Sequence, residues 1–174
     1  MTRPPDLAPS ELRYLVLAAQ REGARQYSRA LDRFSLTVSQ AEIVLVLEEF
    51  GPLSLRDLGQ LIVCEAGSPS RIVEALVSRD LLERNVDPND RRSTVLRLTP
   101  NGAELVPGLR SVETAIDAAT SDVLDADEKS AVASALRKFL LGTATGDTIE
   151  RRFADKRYLL VGDESVEERL HARG

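Results

Sequence analysis

The stretch that decides the fold runs from Ser54 to Thr99 and reads SLRDLGQLIVCEAGSPSRIVEALVSRDLLERNVDPNDRRSTVLRLT. Its first half predicts two short helices joined by a turn at Gly67. Ser54 can cap the first helix and Ser68 the second, with Pro69 at the first helical position, as helix starts favour. The apolar residues of each helix recur at helical spacing and predict one buried face. They are Leu55, Leu58, Leu61 and Ile62 in the first helix and Ile72, Val73, Leu76 and Val77 in the second.

The second half of the stretch changes to the alternating spacing of strands. Leu82, Arg84 and Val86 alternate along a predicted first strand, and Leu96 and Leu98 along a second. The connection at 87–93 is rich in turn-forming residues and carries two adjacent arginines. A helix–turn–helix followed by a hairpin is the layout of a winged-helix DNA-binding module. Its second helix fits the major groove, and an arginine-tipped hairpin suits a narrow minor groove.

These motifs, in this order and spacing, resemble the MarR family of bacterial transcription regulators from Leu36 to Leu105. The matching segments are Leu36-Thr37-x-x-Gln40, Ser68-x-Ser70-Arg71-Ile72-Val73-x-x-Leu76, Leu81-Leu82-Glu83-Arg84, Asp87-Pro88-Asn89-Asp90-Arg91-Arg92 and Leu98-Thr99-Pro100-Asn101-Gly102. Three positions depart from the family pattern: Gly59 replaces a usual alanine, Pro69 a usual β-branched residue and Asp80 a usual glycine. The resemblance implies a mainly α fold with a small β-hairpin wing, that is, a winged helix-turn-helix plus a helical dimerisation lobe.

Two groups of helix residues are predicted to contact DNA. Ser54 and Arg56 open the first helix of the motif and are expected at the DNA backbone. Ser68, Ser70 and Arg71 open the recognition helix, where backbone N–H groups can meet phosphate and a side chain can reach a base edge. Arg71 could instead serve an internal charge network.

The wing supplies the third group. In proteins similar to this one, the position of Arg92 enters the minor groove, which implies that role here, and Arg91 is expected to contact phosphate. Asp90 is either a turn former or an orienting partner for Arg71 or Arg84 through a charge-assisted bond. The simpler alternative for Arg92 is a solvated hairpin side chain.

The overall charge of −5 argues against DNA binding, because affinity for a duplex depends on neutralising phosphates. The distribution of charge changes this view. The wing segment from Pro88 to Arg97 holds three arginines and one aspartate, so positive charge is concentrated where the grooves would be met. Salt-sensitive DNA binding of modest strength is therefore expected.

Four regions are predicted: an N-terminal dimerisation helix at 1–35, the winged helix-turn-helix at 36–99, C-terminal dimerisation helices at 100–142 and an extension at 143–174. The first and last helical regions carry more apolar surface than the winged helix can cover, which predicts a homodimer on a palindromic operator. Pro107-Gly108 should kink or split the helix that contains them. Residues 142–146 read as a linker.

The family resemblance also implies a small-molecule effector between the first, second and fifth helices, with Arg13 and Tyr14 as candidate lining residues. No catalytic motif, metal-ligand cluster or cofactor motif is visible, so no enzymatic activity is expected. No apolar run reaches membrane-span length, and a single cysteine fits a cytoplasmic protein. Two alternatives stay open: a protein-interaction module that does not bind DNA, and a redox switch through Cys64.

Overall fold

The computed structural model describes residues 8–63, 68–86 and 93–154, and this part of the chain contains seven α-helices, a 3-10 helix at Asp32–Phe34 and three strands. The helices are α1 (Pro9–Leu31), α2 (Val38–Phe50), α3 (Leu55–Gly59), α4 (Pro69–Ser78), α5 (Pro100–Val123), α6 (Ala126–Leu140) and α7 (Ala144–Arg152). The strands are β1 (Leu53–Ser54), β2 (Leu82–Val86) and β3 (Thr94–Leu98). The winged helix-turn-helix and the mainly α fold predicted from sequence are confirmed.

The core is built around α2, whose residues 41–47 are all buried. Thr37 and Gln40 form a reciprocal capping box that fixes where α2 begins. Helices α1, α3, α4 and α5 and strand β3 all pack against α2. The apolar face of α4 enters this core through Ile72, Val73 and Leu76, as the sequence predicts.

The sheet has one more strand than the sequence predicts. β2 and β3 form the expected antiparallel hairpin, with Leu82 opposite Leu98 and Arg84 opposite Leu96. β1 adds to the other side of β3, giving the order β1-β3-β2, and Ser54 lies opposite Val95. A two-residue strand has too short a pattern to be recognised in a sequence. Its pairing explains why Val95 is buried alongside Leu96.

Two helices differ from the sequence prediction. α3 ends at Gly59, so Leu61 and Ile62 lie beyond it, where they still pack on the core. α5 continues through Pro107 as one helix instead of splitting. Leu109, two residues after Pro107, is buried and anchors the next turn of α5 in the core. Gly108 packs closely against Phe34, because a Cβ added at Gly108 would lie only 2.7 Å from the Phe34 ring.

The predicted linker at 142–146 is shorter than expected. Thr143 caps α7 by accepting a hydrogen bond from the backbone N–H of Gly146 at 3.0 Å, so residues 144–146 are already helical. Gly142, with φ +74°, makes the turn that separates α6 from α7. The extension therefore begins with a helix that packs against α6.

A compact junction joins the end of α4 to the start of α5. Asp80 adopts a left-handed backbone with φ +55°, and the N–H groups of Asp80 and Leu81 donate to the carbonyls of Val77 and Leu76, as in a Schellman motif. This explains why glycine is usual at this position in the family. The hydroxyl of Thr99 donates to the Asp80 carbonyl at 2.6 Å.

The first turn of α5 completes this junction. Asn101 donates from its side-chain amide to the Asp80 carboxylate at 2.7 Å, and the backbone N–H of Gly102 donates to Thr99 Oγ1 at 3.0 Å. A Cβ added at Gly102 would lie 2.1 Å from the carbonyl oxygen of Leu81. The backbones can approach this closely only because residue 102 has no side chain.

Substituting Gly102→Ala should therefore destabilise the protein by about 1–3 kcal/mol, because backbone atoms must move apart. Gly59→Ala is the matched control, since an added Cβ there meets nothing within 4 Å. Urea denaturation at one protomer concentration measures both. Equal stability of Gly102→Ala and the unsubstituted protein would contradict the close approach.

Candidate nucleic-acid interface

The recognition helix α4 presents a polar start and buries its apolar side. Ser68 and Arg71 are exposed, and Ser70 is half-buried. Ser68 occupies the N-cap position as predicted, but its hydroxyl makes no capping hydrogen bond; only its carbonyl accepts, from the N–H of Arg71 at 2.9 Å. In the described part of the chain no hydrogen bond or ion pair engages the Arg71 side chain, so the internal-network role is not seen there.

Ser54 and Arg56 lie at the start of α3, as predicted. The Ser54 hydroxyl donates to the Asp57 carboxylate at 2.7 Å and accepts from the Asp57 N–H at 3.1 Å. This is a cap without the full reciprocal box, because the carboxylate bonds the hydroxyl and not the N-cap backbone. The Ser54 hydroxyl therefore already donates a hydrogen bond within the protein, whereas the Arg56 side chain is exposed to solvent.

The base of the wing lies beside the recognition helix. Ser70 and Glu74 of α4 and Arg84 of β2 line one side-chain cleft of about 390 Å³. Arg84 is exposed and, among the described residues, has no ion-pair partner. The wing-tip predictions, Asp90, Arg91 and Arg92, lie outside the described residues, and so does Cys64.

A second cleft, of about 430 Å³, opens between α1, α2, α5 and α7. This cleft lies where the family resemblance implies an effector, and α7 forms a fourth wall that was not predicted from the sequence. Its lining residues are Gly23, Tyr27, Glu49, Arg110, Glu113, Ile116, Asp117, Arg152 and Phe153. Arg13 and Tyr14 do not line this cleft; they form a cation–π pair, 4.4 Å from guanidinium carbon to ring centroid, nearer the start of α1.

Arg110 ties α5 to α2 at the edge of this cleft. Its guanidinium donates to Glu48 at 2.5 Å and to Glu113 at 2.9 Å, and Glu49 lies 3.7 Å away. Partial burial lowers the pKa of Arg110, but the hydrogen bonds to Glu48 and Glu113 and their charges outweigh it and raise the pKa above its ordinary value. Arg110 therefore stays charged and fully engaged.

A buried ion pair ties α7 to α2. Arg152 bonds Glu42, and the two side chains are only 14% and 7% exposed. The same Glu42 oxygen accepts from the backbone N–H of Val63 at 2.8 Å. Sequence analysis missed Arg110 and Arg152. Their carboxylate partners, Glu48 and Glu42, are 62 and 110 residues away in sequence, so no local pattern predicts these contacts.

Apolar side chains remain exposed on α1 and α6. Leu12 and Leu15 of α1 are 56% and 53% exposed, and Val132 and Phe139 of α6 are 47% and 78% exposed. These residues belong to the stripes that the sequence assigned to dimerisation. Among the described residues, no helix is long and apolar enough to cross a membrane, and no cluster of three or more metal-ligating side chains is present.

The fold and the exposed helix start define a winged-helix DNA-binding protein. A family model described as a winged helix DNA-binding domain matches residues 36–102. The chain is 31% identical over 123 residues to the HTH-type transcriptional repressor NicR of Pseudomonas putida, covering 71% of this chain and 77% of that one. The chain belongs to the MarR family of transcription regulators.

Two solved structures share this architecture. A mutant of MarR from E. coli complexed with operator DNA aligns with a TM-score of 0.67 at 23% identity, over 74% of this chain and 93% of that chain. BpsR of Bordetella bronchiseptica, whose DNA binding is regulated by 6-hydroxynicotinic acid, aligns with a TM-score of 0.64 at 26% identity, over 74% and 98%. The chain also matches the organic hydroperoxide resistance transcriptional regulator of Bacillus subtilis, and this match spans 65% of that protein's length.

Proposed function

We propose that this regulator acts as a homodimeric, ligand-responsive repressor that binds a palindromic operator. The observation that carries the proposal is the start of α4, where the side chains of Ser68 and Arg71 are exposed and make no hydrogen bond or ion pair within the described structure. The positive end of the helix dipole and the Ser68 hydroxyl suit phosphate, and the Arg71 side chain suits a base edge or a second phosphate. Arg91 and Arg92 belong to the connection between β2 and β3, outside the described residues, and would add a phosphate contact and a minor-groove contact respectively.

The effector would lodge in the cleft between α1, α2, α5 and α7. These elements connect the DNA-reading part to the helices assigned to dimerisation, so a ligand that prefers one arrangement would change the spacing of the two recognition helices. The regulated BpsR of similar fold supports such a mechanism. In this account the protein is cytoplasmic and needs no cofactor.

Arg71→Ala should weaken binding by about 1–3 kcal/mol and lower the salt slope by about one if the contact is to phosphate. Arg151→Ala, an exposed arginine on α7, is the control and should bind as the unsubstituted protein does. Fluorescence anisotropy on a duplex recovered from a random pool, repeated at several salt concentrations, measures both effects. Unchanged affinity in both Arg71→Ala and Arg92→Ala would remove these arginines from the DNA interface, whereas recovery of no bound duplex from the pool would favour the protein-interaction alternative.

The dimer is tested on the exposed apolar stripes of α1 and α6. Leu15→Glu combined with Leu136→Glu should produce monomers at micromolar concentration, because each charge would enter an apolar interface. By helical spacing, Arg21 lies on the side of α1 opposite the apolar stripe, so the control Arg21→Glu should leave the dimer intact. Sedimentation velocity gives the mass of each variant, and a dimer of normal mass in the double variant would remove these helices from the interface.

A further inference from the structure

We propose that the cleft between α1, α2, α5 and α7 binds an organic cation with an aromatic or alkyl body, rather than an aromatic carboxylate. This inference rests on the ligand-responsive function proposed above and names the ligand class for that site. The cleft volume of about 430 Å³ lies within the range of small-molecule sites.

The charges of the cleft carry the argument. Both of its guanidinium groups already bond carboxylates: Arg110 bonds Glu48 and Glu113, and Arg152 bonds Glu42. Three carboxylates line the cleft, those of Glu49, Glu113 and Asp117, against the two guanidinium groups. An anionic ligand would therefore add charge to an acidic site and would have to displace a carboxylate from an arginine.

A cation meets the opposite situation. The Asp117 carboxylate lines the cleft and has no hydrogen bond or ion pair within the described structure. Tyr27 of α1 and Phe153 after α7 supply aromatic rings, and the Arg152 guanidinium already lies 5.8 Å from the Phe153 ring centroid. Aromatic faces attract organic cations, most strongly where water is excluded. Ile116 adds apolar surface for the body of the ligand.

Three probes that share a phenyl ring but differ in charge test the proposal: benzyltrimethylammonium, benzyl alcohol and benzoate, titrated calorimetrically into the full chain. The cation should bind about tenfold more tightly than benzoate, with benzyl alcohol between them. Asp117→Asn should weaken the cation about fivefold, whereas Asp122→Asn, an exposed position further along α5, should not change it.

Equal or tighter binding of benzoate, or no binding of the cation, would overturn the proposal. Duplex binding by the same preparations is measured alongside. Intact DNA binding without cation binding would refute only the ligand class, whereas loss of both would count against the proposed function itself.

A separate observation assigns a second role to α7. The Glu42 carboxylate holds Arg152 and the N–H of Val63 together, and Val63 lies five residues before Ser68, the N-cap of the recognition helix. We infer that Arg152 is a positioning residue, which through Glu42 holds the backbone of Val63, a residue that precedes α4 in the chain. The extension would thereby set the orientation of the recognition helix.

Arg152→Met should remove the guanidinium that bonds the buried Glu42 carboxylate, and lower duplex affinity about tenfold. Adding Glu42→Gln should restore most of that affinity, because the neutral amide oxygen can still accept from Val63. Arg151→Met is the control on the same helix. Hydrogen exchange of the Val63 amide should accelerate in Arg152→Met and recover in the double variant. A lower melting temperature with unchanged duplex affinity and unchanged Val63 exchange would reduce the ion pair to a structural role.

Discussion

The contact on which the rest of the structure depends is the approach of Gly102 to the backbone of Leu81. At this point the end of the recognition helix, the start of the wing and the first turn of α5 are held in one hydrogen-bonded unit through Asp80, Thr99 and Asn101. A side chain at residue 102 would force them apart. The DNA-reading elements and the long helix α5 therefore move together.

Because of this rigid connection, a ligand that shifts α5 would also shift the recognition helix α4. Since α4 is held against α5, a change in how α5 packs on α1 and α2 would also move the recognition helix. The cleft lies where those three helices meet, and α7 adds a buried bond to α2 at the same place. A ligand would shift the equilibrium only as far as its affinities for the two arrangements differ.

Sequence alone predicted the elements that have strong local signals. The Ser68-Pro69 helix start, the apolar face of α4 and the alternating pattern of β2 and β3 each follow from short-range chemistry. The family resemblance marked Asp80 as a position where glycine is usual. In the structure Asp80 adopts the left-handed backbone conformation that glycine favours.

The features that sequence missed depend on distant partners. β1 exists only because β3 pairs with it, and α5 passes through Pro107 between well-packed neighbours. A cleft lies between the helices where the family resemblance implied an effector, but its lining was not predicted, because Arg110 and Arg152 contact carboxylates that are 62 and 110 residues away in sequence. The capping role of Ser68 was predicted for its side chain, which the structure leaves unused.

The central claim is that two copies of this rigid unit present their recognition helices to one duplex. Selection of bound sequences from a random duplex pool with the purified protein tests it most directly. The account predicts an inverted repeat whose half-sites are centred about 10 base pairs apart, one helical turn. Recovery of no enriched sequence at low salt, or of a single unpaired half-site, would contradict it.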